Sequence, residues 1–399
     1  MLPANTAAPI RVGVIGTGFI ARDLFLVTRP MKDLEVTRML TRRPLDACSN
    51  LPDDAPLTQS VSDLLDHCDV VVECSGDVIH ATDVIAKAFE ADLPVVTMNS
   101  EFHITCGSFF VNKGYLTEAE GDQPGCTAAL RRDVRHMGFE PLVYGTMKGF
   151  LNPNPTYDEM LYWSEKQGIR INKTVSFTDG TKVQIEQAFV ANAFGAGIAR
   201  PGMMAPRSDD FESAAKDLAT VADGLGFPII DLIISQQQPP GVFIVAKHDA
   251  VHHTTLEYLK LGKGPYYSLI RPYHLCAFEI PKTIRRVMAG YAPLLNNTTC
   301  PTIGVAAVAK VPLEPGDKID FGVGSFKVRG KAVSIASEPR HVPIGILYDA
   351  TVTRAVEPGA MLTIDDVDLP DSHARDIALA IVRSNQQTSR RSGPFLAAS

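Results

Sequence analysis

"IRVGVIGTGFIARDLFLV", residues 10–27, decides the reading of the fold. An apolar strand runs into a glycine-rich turn, and a helical pattern opens directly after it. Gly16, Gly18 and Ala21 fit the G-x-G-x-x-G/A dinucleotide fingerprint. Glycines there let the backbone approach a pyrophosphate, and the helix N-terminus supplies amide donors and a favourable dipole. Working outward, "LEVTRML" (34–40), "DVVVECSG" (69–76), a helix over 80–91 and "LPVVTMN" (93–99) continue the alternation. Strands alternating with helices predict a doubly wound parallel sheet of the Rossmann kind.

The same stretches nominate a cofactor site. Gly16, Gly18, Phe19 and Ile20 lie on the turn. Ser75 and Gly76, closing "VVECSG", face the nicotinamide side. Asn99 and Glu101 follow the next strand, at the carboxyl edge where α/β sheets bind ligands. After the second strand come Thr41, Arg42 and Arg43, where an NAD enzyme usually carries an acid for the ribose 2′-hydroxyl. Two guanidiniums suit a 2′-phosphate, so NADP(H) is expected over NAD(H).

Bulk properties narrow the function. A chain of 399 residues predicts two or three domains, since single cores stop growing near roughly 250–300 residues. With 45% hydrophobic and 21% charged residues it reads as an ordinary globular protein. A net charge of −7 argues against a nucleic-acid partner or an anionic membrane surface. No apolar run reaches the roughly 18–20 residues of a membrane span, and no signal peptide is read at the start. Seven scattered cysteines without a CxxC pair read as reduced thiols in a cytoplasmic setting, with neither a disulfide framework nor a zinc site. Neither HExxH nor GxSxG occurs, which removes the zinc-hydrolase and nucleophile-elbow readings.

The middle of the chain reads as an α+β substrate domain. A helix runs from "GDQPG" (121–125) to about 138. "PLVYGTMKGFLNPNP" (141–155) places Lys148 just past an apolar strand and Asn152 in a Pro-interrupted loop. "IRINKTVSFTDGTKVQIEQA" (169–188) reads as a hairpin about Asp179-Gly180, with Glu186 in its second strand, where a glutamate more often faces solvent. "DLIISQ" and "GVFIVAKHD" supply further strands.

"YLKLGKGPYYSLIRPYHLC" (258–276) then gathers Lys260, Lys263, Arg271 and His274 without an acid. Its GKGP turn exposes Lys263 with backbone amides, and Pro272 fixes the backbone at Arg271. Arg271, Tyr273 and His274 would meet an anionic substrate, with His274 able to move a proton near neutral pH. The competing reading is that the tyrosines and arginine pack at a domain interface. A Gly/Pro-punctuated β-rich block (311–370), a helix over 371–384 and a frayed tail close the chain.

These residues carry a family resemblance. The chain resembles the homoserine-dehydrogenase-like oxidoreductases with a C-terminal SAF domain, and among them the 1-deoxy-D-xylulose 5-phosphate reductoisomerase-like enzymes. The resemblance runs from about residue 10 to 385. It rests on "GVFIVAK" (241–247), "LKLGKGPYYSLIRPYHL" (259–275), "PKTIRRV" (281–287), "MNSE" (98–101), "GDQP" (121–124) and "EPGAMLTIDDV" (357–367).

It implies an NADPH-dependent shift of a carbon skeleton followed by reduction of the new carbonyl, in isoprenoid synthesis. Lys148, Glu101, Glu186 and His274 would be catalytic, and Asn152, Lys263, Arg271 and Tyr273 would bind substrate. It also implies a possible Mg or Mn ion and a homodimer or higher oligomer. The domains expected are 1–138 (Rossmann), 139–298 (substrate and dimerisation), 299–385 (SAF-like) and a flexible tail, 386–399.

The chain departs from its relatives in a short connection after the second strand, in Ser100 where plain homoserine dehydrogenases carry lysine, and in Gln123, which replaces an acid. Two other functions stay open: a simple NAD(P)-dependent dehydrogenase of a hydroxy acid, and a non-catalytic cofactor-binding protein.

Overall fold

The computed structural model describes residues 8–391. Strand β1 (Ile10–Ile15) leads through the glycine turn into helix α1 (Phe19–Thr28) and strand β2 (Leu34–Leu40). Strand β3 (Leu57–Thr58), helix α2 (Val61–Asp66), strand β4 (Val70–Glu73), helix α3 (Val78–Glu90), strand β5 (Val95–Thr97) and strand β6 (Leu116–Glu118) complete the first sheet. Its order is β3-β2-β1-β4-β5-β6, parallel throughout. That is the doubly wound Rossmann order, whose crevice opens between β1 and β4 where the winding reverses. The strands are short and apolar because both faces are covered; Val12, Val14, Val70, Val71, Val72, Val95 and Val96 are all fully buried.

A second unit follows. Helix α4 (Gln123–His136) and strand β7 (Glu140–Lys148) lead to helices α5 (Tyr157–Gln167), α6 (Ile171–Thr178), α7 (Thr181–Phe194) and α8 (Phe211–Leu225). Strands β8 (Ile229–Ile234), β9 (Gly241–Lys247) and β10 (Tyr266–Arg271) join β7 in a sheet of order β10-β9-β7-β8, in which only β7 and β8 run parallel. Helix α8 shows why it packs on this sheet: Phe211, Ala214, Ala215, Leu218, Ala219 and Ala222 form one buried stripe at helical spacing.

The hairpin expected over 169–188 is two helices. Asp179-Gly180 does form the turn, with Gly180 at φ +84°, but it joins α6 to α7. Alternating β-branched residues gave the local pattern. Tertiary burial overrides it, because Thr181 through Asn192 of α7 are buried almost without a break, as in a helix enclosed on all sides. Glu186 is therefore an inward-facing helical residue, 3% exposed, rather than a solvent-facing strand residue.

Helix α9 (Ile280–Met288) crosses back, so that Ala277, Ile280, Ile284 and Val287 pack in the Rossmann core beside Leu24 and Val70. The C-terminal region holds β11 (Ile303–Ala309) paired antiparallel with β13 (Val328–Ser334). A separate antiparallel trio has β14 (Tyr348–Val352) between β12 (Lys318–Phe321) and β15 (Val367–Asp368).

This β-rich block shares one continuous apolar cluster with α7 and β8. The boundary expected at 298/299 therefore does not separate two cores, and residues 277–287 pack with the first domain instead of the second. Side chains of α7 bond directly to the block: Thr181 Oγ1 accepts from the Gly330 amide, Gln184 from Ala332, and Asn192 from Thr302 and Ile303 while donating to the Ile303 carbonyl. Helix α10 (His373–Arg391) packs Ala374 and Ile377 against α3 and the 103–110 segment, on the outside of the Rossmann domain. It begins two residues later than expected and runs on through 391, so the first part of the expected tail is helical; 392–399 lie outside the described residues.

Candidate active site

The glycine turn has the form a dinucleotide needs. Gly16 sits at φ +109°, and a Cβ there would meet the Ser75 backbone at 3.0 Å, so the turn and the β4 loop touch with no room for a side chain. A Cβ on Gly18 would meet nothing within 4 Å, so the space in front of the α1 N-terminus is open. Phe19, 52% exposed, and Ile20 open that helix, whose cap amides find no side-chain partner. Two buried polar atoms beside the crevice, Glu73 Oε2 and Asn99 Nδ2, are likewise unpartnered. Open backbone, free amides and orphaned polar atoms fit a bound nicotinamide dinucleotide.

The surrounding groups are braced. Ser75 donates both its amide and its hydroxyl to Glu73, and the Asp77 amide donates to Ser75 Oγ. Asp77 caps α3 and pairs with Arg42. Arg43 donates to Thr17 Oγ1 at 2.8 Å, and Thr41 is buried beneath it, accepting from the Arg43 amide. The two arginines thus stand at the end of β2 as the sequence suggested, each held by an internal partner. Burial raises the Glu73 carboxyl to about 7, against the hydrogen bonds from Ser75.

Next to that crevice, charged side chains from six segments meet. Lys182, second residue of α7, donates to Glu101 Oε2 at 2.9 Å and stands 3.7 Å from Asp122 and 3.8 Å from Glu186, one helical turn on. Lys173 of α6 reaches Glu101 Oε1 and the Gly76 carbonyl, both at 3.4 Å, tying this cluster to the loop after β4. Ser100 donates to Asp122 at 2.8 Å. The Gln123 amide donates to Thr146 at 2.7 Å and Glu186 at 2.9 Å, and accepts from Lys148 Nζ at 2.8 Å. His274 Nδ1 donates to the Gly121 carbonyl at 3.3 Å, and its Nε2 lies 3.5 Å from the Gln123 amide.

The environment separates the carboxyls. Burial alone would raise Glu101, but Lys182 and Lys173 outweigh it and bring its pKa down to about 2. Asp122 is lowered in the same way: burial opposes, and Lys182 with the hydrogen-bond donors wins. Glu186 goes the other way, to about 8, through burial reinforced by Asp122 against the two lysines Lys148 and Lys182. Lys182, whose burial would discharge it, is held well above the usual lysine range by Asp122, Glu101 and Glu186. Burial lowers the His274 imidazole, Lys148 adding to it and Asp122 opposing. One fixed ammonium, two fixed carboxylates, one proton-bearing carboxyl and one neutral imidazole therefore share a site, the division of labour that acid–base chemistry requires.

Of the expected residues, the structure brings together Glu101, Lys148, Glu186 and His274, with Ser75, Gly76 and Asn99 alongside. It does not bring Lys263 there. Lys263 is 86% exposed, faces Glu257 at 4.0 Å, and lies at the opposite end of β10 from Arg271. The pair cannot grip one small anion, because an extended strand of six residues separates them by about 17–20 Å.

Arg271 is enclosed. It pairs with Glu120 at 3.1 Å and with Glu279, and Lys282 pairs with both acids, at 2.7 Å and 3.1 Å. Tyr273 lies under the Arg271 guanidinium at 5.1 Å, and Asn152 Oδ1 accepts from the Asn154 amide within its own loop. The basic segment is therefore mainly a clasp, and of its basic residues His274 is the one that reaches the cluster.

Sequence reasoning missed Lys182, Asp122, Gln123 and Lys173. Lys182 and Glu186 stand at i, i+4, a helical signal that the hairpin reading concealed.

A divalent metal does not fit this donor set. Mg²⁺ or Mn²⁺ needs carboxylate oxygens gathered at about 2.0–2.2 Å, whereas Glu101, Asp122 and Glu186 gather on the Lys182 ammonium. Among the described residues no group of three or more His, Cys, Asp or Glu side chains is arranged to hold a metal ion.

Comparison with known proteins adds to the geometry. A family model described as the catalytic domain of the oxidoreductase DRL matches residues 121–280, and the NAD-binding domain of homoserine dehydrogenase matches residues 12–104. No curated protein matches the chain in sequence. Solved structures that align with it include a homoserine dehydrogenase from Thiobacillus denitrificans, at 14% identity over 88% of this chain and 98% of that one, TM-score 0.47. A probable dehydrogenase from Thermotoga maritima aligns at 12% identity over 71% and 90%, TM-score 0.43. UDP-N-acetylglucosamine 3-dehydrogenase from Acidithiobacillus ferrooxidans aligns at 11% over 73% and 92%, TM-score 0.42. The two family matches make the chain an NAD(P)-dependent oxidoreductase with a Rossmann NAD-binding domain. Among the described residues no helix is long and apolar enough to cross a membrane.

Proposed function

We propose that the chain is an NADP(H)-dependent oxidoreductase of reductoisomerase type, acting on a small polyoxygenated carbonyl compound with an anionic end. The observation that carries the reading is the cluster of Lys182, Lys148 and Glu186 joined through Lys173 to the Gly76 loop, at the carboxyl edge of the Rossmann sheet. The nicotinamide, when bound, supplies or accepts the hydride.

The chain's own residues do the rest. Lys182 and Lys148 donate hydrogen bonds to substrate oxygens and stabilise negative charge as it develops. Glu186 exchanges a proton with the substrate hydroxyl, and His274 is a second acceptor at the rim. In an α-ketol rearrangement the hydroxyl proton leaves to Glu186. A carbon then migrates with its bonding pair to the carbonyl carbon. The old carbonyl oxygen becomes an alkoxide held by the ammoniums, and the newly formed carbonyl is reduced. Arg42 and Arg43 favour a 2′-phosphate, which makes NADP(H) the preferred cofactor. A homodimer is the expected assembly, and the first sheet with the returning α9 segment is the cofactor domain.

The test is purified protein given NADPH and 1-deoxy-D-xylulose 5-phosphate. Cofactor absorbance reports turnover, and carbon NMR reports product connectivity. Oxidation of NADPH with a branched product supports the reading; oxidation with an unrearranged product leaves a simple dehydrogenase. That second reading is favoured by one feature: the acids that would hold a metal for rearrangement enclose Lys182 instead.

A further inference from the structure

We propose that Lys182 is the resident cation of this site, its ammonium standing where a divalent metal would have to sit, so that the enzyme binds substrate and turns over without a metal ion. This rests on the oxidoreductase reading above for its turnover arm, but not for its binding arm.

The argument begins with convergence. Glu101 follows β5, Asp122 caps α4 and Glu186 lies on α7, yet all three direct an oxygen at one nitrogen within 3.8 Å. Carboxylates drawn from separate elements repel one another unless a cation lies between them. Here the cation is covalently part of the chain. Its side chain is 11% exposed, and its backbone is pinned: the Thr181 amide donates to Asp179, and Thr181 Oγ1 accepts from Gly330. Lys182 cannot leave for solvent without abandoning three nearly buried acids, a loss of several kcal/mol in other proteins.

Charge leads to the same conclusion. Three acids face three ammoniums, Lys182, Lys173 and Lys148, and the neighbouring Gln123 contributes a neutral amide. With the proton that Glu186 carries at neutral pH the lysines already outweigh the two fixed carboxylates, and a divalent ion would add two further positive charges to a largely buried cluster. A metal also needs its oxygens at about 2.0–2.2 Å, a volume the Lys182 Nζ fills. The chemical consequence is that a substrate oxygen meets a hydrogen-bond donor in place of a Lewis acid.

The experiment uses the full-length protein, passed through chelator and desalted. Mn²⁺ is titrated in and the free ion read by its paramagnetic resonance signal. Wild type should leave Mn²⁺ free, and NADPH turnover should be the same with chelator and with added Mg²⁺. Lys182→Ala should gain one Mn²⁺ equivalent, and adding Glu101→Gln should weaken that binding by about tenfold or more. Lys182→Met serves as a second opening of the site, with melting curves confirming that the variants fold.

One Mn²⁺ bound by wild type and released by Glu101→Gln overturns the proposal. So does turnover abolished by chelator and restored by Mg²⁺, or folded Lys182→Ala and Lys182→Met proteins that both leave Mn²⁺ free. If both variants unfold, the wild-type titration alone decides. If no carbonyl substrate is turned over, the functional reading fails while the Mn²⁺ titration still judges this one.

Discussion

Glu186→Gln isolates the proton-bearing group of the site. The Glu186 carboxyl is raised to about 8 by burial and by Asp122. At about pH 7 roughly nine-tenths of it therefore carries the proton, and the base form falls about tenfold for each further pH unit down. If the carboxylate removes the substrate proton, kcat/KM should rise about tenfold from pH 6 to 7 and flatten above pH 8. Removing a positioned general base costs about 10²–10⁴-fold in rate, so Glu186→Gln should lose that much at pH 8 and lose the inflection too.

Stability supplies an independent check, and its sign is opposite to that of an ordinary ion-paired acid. The folded-state pKa lies above the ordinary 4.5. Between about pH 4.5 and 8 the folded state therefore holds a proton the unfolded chain has lost, and stability falls as pH rises through that window, by an amount of order 5 kcal/mol. Glu186→Gln removes this dependence, so its melting temperature should gain on wild type as the pH goes from about 5 to 9. Turnover of Glu186→Gln within a few-fold of wild type, or a wild-type profile flat between about pH 6 and 9, would refute the assignment.

Four further outcomes test other parts of the structure. Lys263→Ala should change stability by less than about 0.5 kcal/mol and leave substrate KM unaltered, since the side chain is exposed and remote from the cluster. Arg271→Ala should lower thermal stability by about 3–5 kcal/mol by leaving Glu120 and Glu279 poorly compensated. A calorimetric scan of the pair that finds the opposite ranking would discard the clasp. Arg42→Ala should cut the kcat/KM preference for NADPH over NADH by about tenfold, equivalent to about 1.4 kcal/mol, and an unchanged ratio in steady-state kinetics would show that Arg42 serves only Asp77. Gly16→Ala should destabilise the turn by about 1–3 kcal/mol and weaken cofactor binding measured by fluorescence, because φ +109° and the Ser75 backbone both exclude a Cβ.

Where local and tertiary forces agree, the sequence is readable. The 10–27 stretch has its apolar strand, glycine spacing and helix period all pointing to one structure, and the observed β1, turn and α1 follow it. Residues 169–188 fail because "TVSF" and "TKVQI" alternate like strands, while the deciding influence is burial between layers contributed by residues about 40 to 150 positions away. Lys182 was lost with that misreading. Lys263 and Arg271 looked equivalent as cations, and nothing local shows that Glu120, Glu279 and Lys282 close around one and leave the other in water. Glu101, Lys148 and His274 were legible as candidates because each follows a strand end or a constrained turn, where side chains converge on the carboxyl edge of a sheet.

The bond from the Gly330 amide to Thr181 Oγ1 has a consequence for synthesis. Chains emerge amino-terminus first and fold as units emerge. The cofactor crevice needs little beyond the first sheet and the α9 segment that returns to it. The seat of Lys182 waits until β13 has left the ribosome, about 150 residues after the lysine itself. The segments of the crevice are therefore all present about 40 residues of synthesis before the strand that seats Lys182. The acid–base cluster is thus the later of the two sites whose supporting contacts become available.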